Sequence, residues 1–182
     1  MRSRTYRLSR DGKTLLMSVP LFVSYSEAYQ SGLEMFPRLL KKARKPAPVD
    51  GDEVWLFGEK KTVDGFGLAS EEEREATYKR LLLPYAKAKT EEYRLFMGIK
   101  TDYKVIVRTM KSRFGVNSAK TKRISYATSL VHYAPATIDS VIVHELAHDK
   151  ERNHGEKFYA IVYRYCPDYK KYRRKMIKGD YQ

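Results

Sequence analysis

The chain has 182 residues, which suits one domain or a catalytic domain with a small appendage. Its 42% of apolar residues can build a core, yet the longest apolar runs, such as Leu81–Leu83, are too short for a transmembrane helix. One cysteine, Cys166, excludes an internal disulfide, and the net charge of +14 leaves nucleic acid, nucleotides, acidic proteins and other polyanions open as partners without choosing among them.

The basic start MRSRTYRLSR lacks the apolar stretch of a signal peptide, so a cytoplasmic location is the expectation. Tyr6 to Pro20 reads as a β-hairpin around the tight-turn pair Asp11-Gly12. Ser26 is positioned to cap a helix from about Glu27 to Lys45, kinked or split at Pro37 and ended by Lys45-Pro-Ala-Pro48. EVWLF, Glu53 to Phe57, reads as a strand, and Gly58 to Gly67 as a turn or hairpin, so the first third looks like a small β-rich subdomain without metal ligands beyond scattered acids. Ser70-Glu71-Glu72-Glu73 is a capping box that predicts a helix to about Met97, interrupted near Pro84 and stopped by Gly98. Tyr103–Val107 and Ile124–Val131 read as two strands, separated by Thr109–Ser118 and a basic turn.

Ala134-Pro135 leads into the stretch that carries chemistry, VIVHELAHDKERNHGEKF, Val141 to Phe158. It holds three of the four histidines of the chain. His144 and His148 are four apart, so on a helix they share a face and two ring nitrogens can meet one metal ion. Glu145 adjoins the first of them, within reach of a water at that metal, while Ile142 and Leu146 point to the opposite, core side. A straight helix would carry His154 away. The polar run Asp149–Asn153, and the capping pair Asn153 and Glu156, predict that the chain turns near Arg152 and starts a new helix at His154, returning that imidazole to the pair. Three imidazoles and an open position suit a catalytic zinc better than a structural one. The spacing equals that of HExxHxxGxxH metzincins, but Glu151 stands where they have glycine and no Met-turn follows, so only the spacing is shared.

The new helix carries Phe158, Ile161, Val162 and Tyr165 at core spacing, and Cys166-Pro167-Asp168 breaks it before a basic tail. In that tail, Arg164, Lys170, Lys171, Arg173, Arg174, Lys175 and Lys178 alternate with Tyr165, Tyr169 and Tyr172. Such tyrosines can stack on bases, but the commoner arrangement is the half-buried side of an amphipathic helix.

The order of elements and the motif resemble the YgjP-like family of zinc metallopeptidases, related to the WLM group. The residues that carry the resemblance are His144-Glu145-Leu146-Ala147-His148, Asn153-His154-Gly155, Phe158 and Pro167-Asp168-Tyr169. It is most specific from Lys111 onward, and departs where the family shows Ser-Arg-Trp-Gly-Ser-Cys-Ser and this chain has Ser112-Arg113-Phe114-Gly115-Val116-Asn117-Ser118. The resemblance implies an α+β, zincin-like metallopeptidase domain over residues 68–182 behind the N-terminal β-rich subdomain, residues 1–67. It also implies an extended peptide or protein substrate along an open strand edge, from Tyr103–Val107 or Ile124–Val131.

The reading that follows is hydrolysis by a zinc-activated water, with Zn²⁺ on His144, His148 and His154 and Glu145 as general base. Arg113, His132, Tyr159 and Tyr163 are open candidates for a further donor, His132 being read rather as an exposed or satisfied strand-end histidine. Two alternatives stand beside it: a metal-dependent hydrolase of nucleotide phosphoanhydrides, although no P-loop is present, and a basic, nucleic-acid-associated protein acting on DNA-bound proteins. Oligomeric state is not legible.

Overall fold

Residues 4–8, 14–43, 48–62 and 70–182 are described by a computed structural model of the chain. They form an α+β protein that divides into two compact units, Met1–Pro46 and Ala47–Gln182. In the first unit, β1 (Thr5–Leu8) pairs antiparallel with β2 (Leu15–Ser18), followed by helix α1 (Tyr25–Ala43). Tyr6 bonds Ser31 and Arg4 pairs with Glu27, which ties hairpin to helix. The helix is capped by Ser24, not Ser26: the Glu27 amide donates to Ser24 Oγ at 3.2 Å. Pro37 does not split it into two elements, because that residue lies on the exposed face, where the carbonyl left without a donor meets water. The expected Asp11-Gly12 turn and the helix stop at residues 45–47 lie outside the described residues.

The second unit opens with an antiparallel meander, β3 (Val49–Asp50), β4 (Glu53–Leu56) and β5 (Glu59–Thr62). The two-residue turn Phe57-Gly58 has φ of 52° and 81°, the left-handed pair that matches hairpin twist. Residues 63–67 of the expected turn region lie outside the described residues. The meander is bound to the remainder of its unit: the amides of Phe57 and Gly58 donate to the carbonyls of Val131 and His132 (2.7 and 3.3 Å), and Val54 and Leu56 are buried in the core. The compact units therefore part at residues 46/47 and not at the expected 67/68, because backbone bonds and apolar burial attach β4 to the later chain.

Helix α2 (Glu71–Phe96) begins with the complete capping box: Glu73 N donates to Ser70 Oγ and Ser70 N donates to Glu73 Oε2, both at 3.1 Å. It runs unbroken through Pro84, again an exposed position, and ends at Gly98, whose φ of 64° suits glycine. Among its buried residues, Tyr78, Leu82, Ala86 and Thr90 recur every four and form one core-facing stripe, with Thr77 beside it.

A three-stranded mixed sheet follows. β6 (Lys104–Arg108) lies parallel to β8 (Arg123–Ala127), and β7 (Gly115–Ser118) antiparallel to it, in the order β6-β8-β7. β8 stops at Ala127, short of the expected Val131, because Thr128–His132 winds into a 3₁₀ turn whose Leu130 and Val131 are wholly buried. Helix α3 (Pro135–Ala147) starts with proline at its first turn, and helices α4 (Glu156–Tyr165) and α5 (Tyr169–Lys178) close the chain. The C-terminus returns to the start of α3, where Ala134 N donates to the Tyr181 carbonyl at 2.7 Å.

A Cβ on Gly58 would lie 2.8 Å from Ala134 Cα, just before α3. Gly58→Ala should therefore cost about 1–3 kcal/mol in urea unfolding, more than Gly51→Ala, whose φ is also positive but which has open space around it. Equal losses would show that the contact with Ala134 is not limiting.

Candidate metal centre and its cleft

His144 lies in the last turn of α3 and His148 caps it. The chain then reverses through Asp149–Glu151, whose amides donate back to the Leu146 and Ala147 carbonyls at 3.0–3.1 Å. Two long-range contacts hold this reversal. Tyr103 Oη donates to Asp149 Oδ1 at 2.7 Å, and Lys150 Nζ donates to the Met97 carbonyl at 2.6 Å, so the C-terminal end of α2 and the entry to β6 set where the chain turns. α4 begins at Glu156, with Gly155 and no side-chain bond at its cap, so the expected Asn153 capping box and the start at His154 are corrected. The Asn153 amide instead donates to Glu151 Oε1 and its carbonyl accepts from Gly155 N, a tight turn that presents His154 ahead of the helix.

The three imidazoles meet. One ring nitrogen from each of His144, His148 and His154 lies within 4.8 Å of the others, and Nε2 of His144 and Nε2 of His154 are 3.2 Å apart. The ring of Phe158, fully buried, packs under all three at centroid distances of 4.6–4.9 Å. Two rings are oriented from behind. His148 Nδ1 is 3.2 Å from the Glu151 carbonyl, which can only accept, so Nδ1 carries the proton and Nε2 keeps its lone pair. His144 Nδ1 is 2.8 Å from Tyr169 Oη, with the two rings stacked at 5.6 Å. Burial, then the neighbouring His148 and His154, push His144 down to about 3, and burial also lowers His148. Neutral imidazoles with fixed far-side bonds are a donor set that fits a divalent transition ion such as zinc.

Glu145 is 5% exposed, and burial pushes it up to about 7, opposed by the Asn117 backbone and the Arg113 charge. A cation on the adjacent imidazoles would lower it again. Its side chain lies directly on Gly115 of β7, where a Cβ would stand 2.5 Å from Glu145 Oε1. Asn117 Nδ2 donates to the Glu145 carbonyl at 2.7 Å, fastening β7 to α3. β7 was not expected as a strand, since Gly, Asn and Ser disfavour sheets. Pairing with β8 and this contact with α3 impose it. β7 is the sheet edge at the site in place of the two edges expected, because β8 is central and β6, the other outer strand, does not line the cleft.

Around the triad opens a cleft of about 750 Å³, lined by Ser112–Val116, the three histidines and Glu145, and by Tyr159, Tyr169, Arg173, Met176 and Ile177 among others. Of the four open donor candidates, Arg113 and Tyr159 line it; Tyr163 and His132 do not. His132 is buried, gives its Nδ1 proton to the Trp55 carbonyl at 2.7 Å and packs edge-on to Tyr78, so of the expected exposed or satisfied strand-end histidine only the satisfied hydrogen bond holds, and the residue lies in the 3₁₀ turn. Cys166 is half-buried, and burial raises its thiol to about 11. The tyrosines of α5 are its inward side, with Tyr169 buried and Tyr172 half-buried, while Arg173 and Arg174 are exposed. Sequence reading missed the role of Tyr169, which lies 25 positions beyond His144; only its place in the Pro-Asp-Tyr segment marked it.

Residues 67–178 match the family described as "YgjP-like, metallopeptidase domain". Among solved structures, the chain is similar to the metallopeptidase zymogens abylysin of Pyrococcus abyssi and jannalysin of Methanocaldococcus jannaschii. Abylysin is 21% identical with a TM-score of 0.48, covering 50% of this chain and 91% of its own; for jannalysin the values are 25%, 0.47, 50% and 93%. Comparison with curated proteins finds no match.

Proposed function

The chain belongs to the YgjP-like metallopeptidase family, and from that premise we propose that it hydrolyses peptide bonds in protein or peptide substrates with zinc held by His144, His148 and His154. The observation that carries this reading is the convergence of three imidazoles beside a buried carboxylate at the open edge of a sheet. When bound, zinc supplies Lewis-acid polarisation of a carbonyl and lowers the pKa of a water to about 7. The remaining work falls to the chain itself. Glu145 accepts a proton from the attacking water and delivers it to the leaving amine, and the burial that raises its pKa makes it a stronger base for the first of these transfers. The outer edge of β7 offers backbone groups to an extended substrate, which fixes the peptide beside Glu145 without reading much sequence. Phe114 and Val116, two of the three departures from the family segment, line the same wall, where side-chain preference is set, and the third, Asn117, bonds the Glu145 carbonyl. The single cysteine favours a reducing compartment, the cytoplasm.

The test is degradation of an unfolded protein. Cleavage should cease with a chelator and return with added zinc, and no cleavage by zinc-loaded protein would refute the proposal. No helix among the described residues is long and apolar enough to cross a membrane, so the assay needs no lipid.

Tyr169 is a positioning residue in this reading. With the metal on Nε2, His144 Nδ1 carries a proton that the Tyr169 hydroxyl oxygen accepts. Tyr169→Phe keeps the stacked ring and removes only that oxygen. Zinc affinity, measured by competition with a chromophoric chelator, should fall about tenfold or more. Unchanged affinity would reduce Tyr169 to packing.

A further inference from the structure

Two guanidinium groups stand on the walls of the cleft, and no carboxylate there answers them. Arg113 comes from the loop that enters β7, and Arg173 from the first turns of α5. Both are exposed, and among the described residues neither makes an ion pair. The arginines and lysines that do form ion pairs lie elsewhere, just before β1, on the meander and on α2. The lining has one acid, Glu145, which is 5% exposed and committed to proton transfer. The two arginines act on different parts of the site. Arg113 lies two residues before Gly115, which packs on Glu145, and Arg173 lies one helical turn after Tyr169, which meets His144, so one charge lies on the wall of the general base and the other on that of the metal ligands. A divalent ion in the triad would add to the same sign. Such a cleft draws anions in, and the planar fork of arginine matches a carboxylate in two parallel hydrogen bonds. Met176 and Ile177 beside Arg173 make that wall apolar around its charge, which suits the aliphatic stem of a glutamate better than a bare ion.

Resting on the peptidase reading above, we propose that the cleft selects peptides with a carboxylate beside the scissile bond, held by Arg113 and Arg173. The carboxylate comes from an acidic side chain or from a free C-terminus, and both offer the same fork to the arginines.

The test separates binding from turnover. Full-length, zinc-loaded protein carrying Glu145→Gln is titrated with fluorescent short peptides of one sequence, differing in a central Glu-Glu, Gln-Gln or Lys-Lys pair, all with amidated C-termini. A further Gln-Gln peptide keeps its free terminal carboxylate. The Glu peptide should bind roughly tenfold tighter than the Gln peptide, with the advantage shrinking as salt rises. Tighter binding by the free-carboxylate peptide alone would make the C-terminus the source. Arg113→Gln with Arg173→Gln should abolish the preference at unchanged zinc content, and Arg173→Glu should shift it toward Lys-Lys. Equal affinities, a preference that survives the double variant, or a stronger preference for a single-stranded oligonucleotide at the same salt would each overturn the proposal. Wild-type protein that cleaves all the peptides at equal rates keeps the peptidase reading and loses this one. Selective binding without any cleavage does the reverse.

Discussion

Glu145→Gln should keep one zinc per chain and lose about 10²–10⁴-fold in kcat, the usual contribution of a positioned proton-transfer group. The amide is nearly isosteric, so Gly115 still accommodates it and Asn117 still donates to the unchanged backbone carbonyl at 2.7 Å. What disappears is the capacity to accept a proton. Activity within a few-fold of wild type would assign the base elsewhere. Gly115→Ala makes the complementary case. The added methyl would fall 2.5–2.8 Å from three atoms of the Glu145 side chain, and a buried carboxylate cannot swing freely into water. That variant should bind zinc normally and lose kcat for reasons of placement alone. If it stays fully active, the approach of β7 to α3 is incidental.

Zinc binding should collapse in His154→Ala, by more than the roughly 10–100-fold expected for loss of a supporting hydrogen bond. Two imidazoles from α3 leave a site without its third protein ligand, and His154 is the one histidine of the triad that is exposed and lies outside the helix. Its removal leaves the buried core intact: Phe158 remains at 4.6 and 4.9 Å from the other two rings. The stability of the metal-free protein should therefore change little, while the stabilisation that zinc confers on wild type is lost. Metal analysis after dialysis and paired thermal melts with and without zinc check both halves. A variant that still holds one zinc per chain would remove His154 from the ligand set.

Much of this site was legible because it is local. A four-residue spacing on a helix determines which side chains share a face, so His144 and His148 paired, Ile142 and Leu146 facing the core, could be read from one turn of backbone. The capping box at Ser70 and the stop at Gly98 are equally local, since each satisfies amide or carbonyl groups within a few residues. The bend that returns His154 was legible only as a change of pattern. Its means, Tyr103 on Asp149 and Lys150 on the Met97 carbonyl, join positions about fifty apart, and no sequence period encodes them.

What the sequence alone determined was the donor chemistry: three imidazoles and a carboxylate in a short stretch, the α+β class, and the amphipathic tail. The tertiary structure decided which strand lies at the site and what stands behind each ligand. β7 is a strand because β8 supplies its hydrogen bonds and α3 its packing, despite residues that by themselves prefer turns. Tyr169 reaches His144 because α5 folds back on α3, and the meander joins the second unit because its backbone donates to the 3₁₀ turn. In each case the deciding contact is between residues far apart in the chain, and its energy exists only once the core has brought them together.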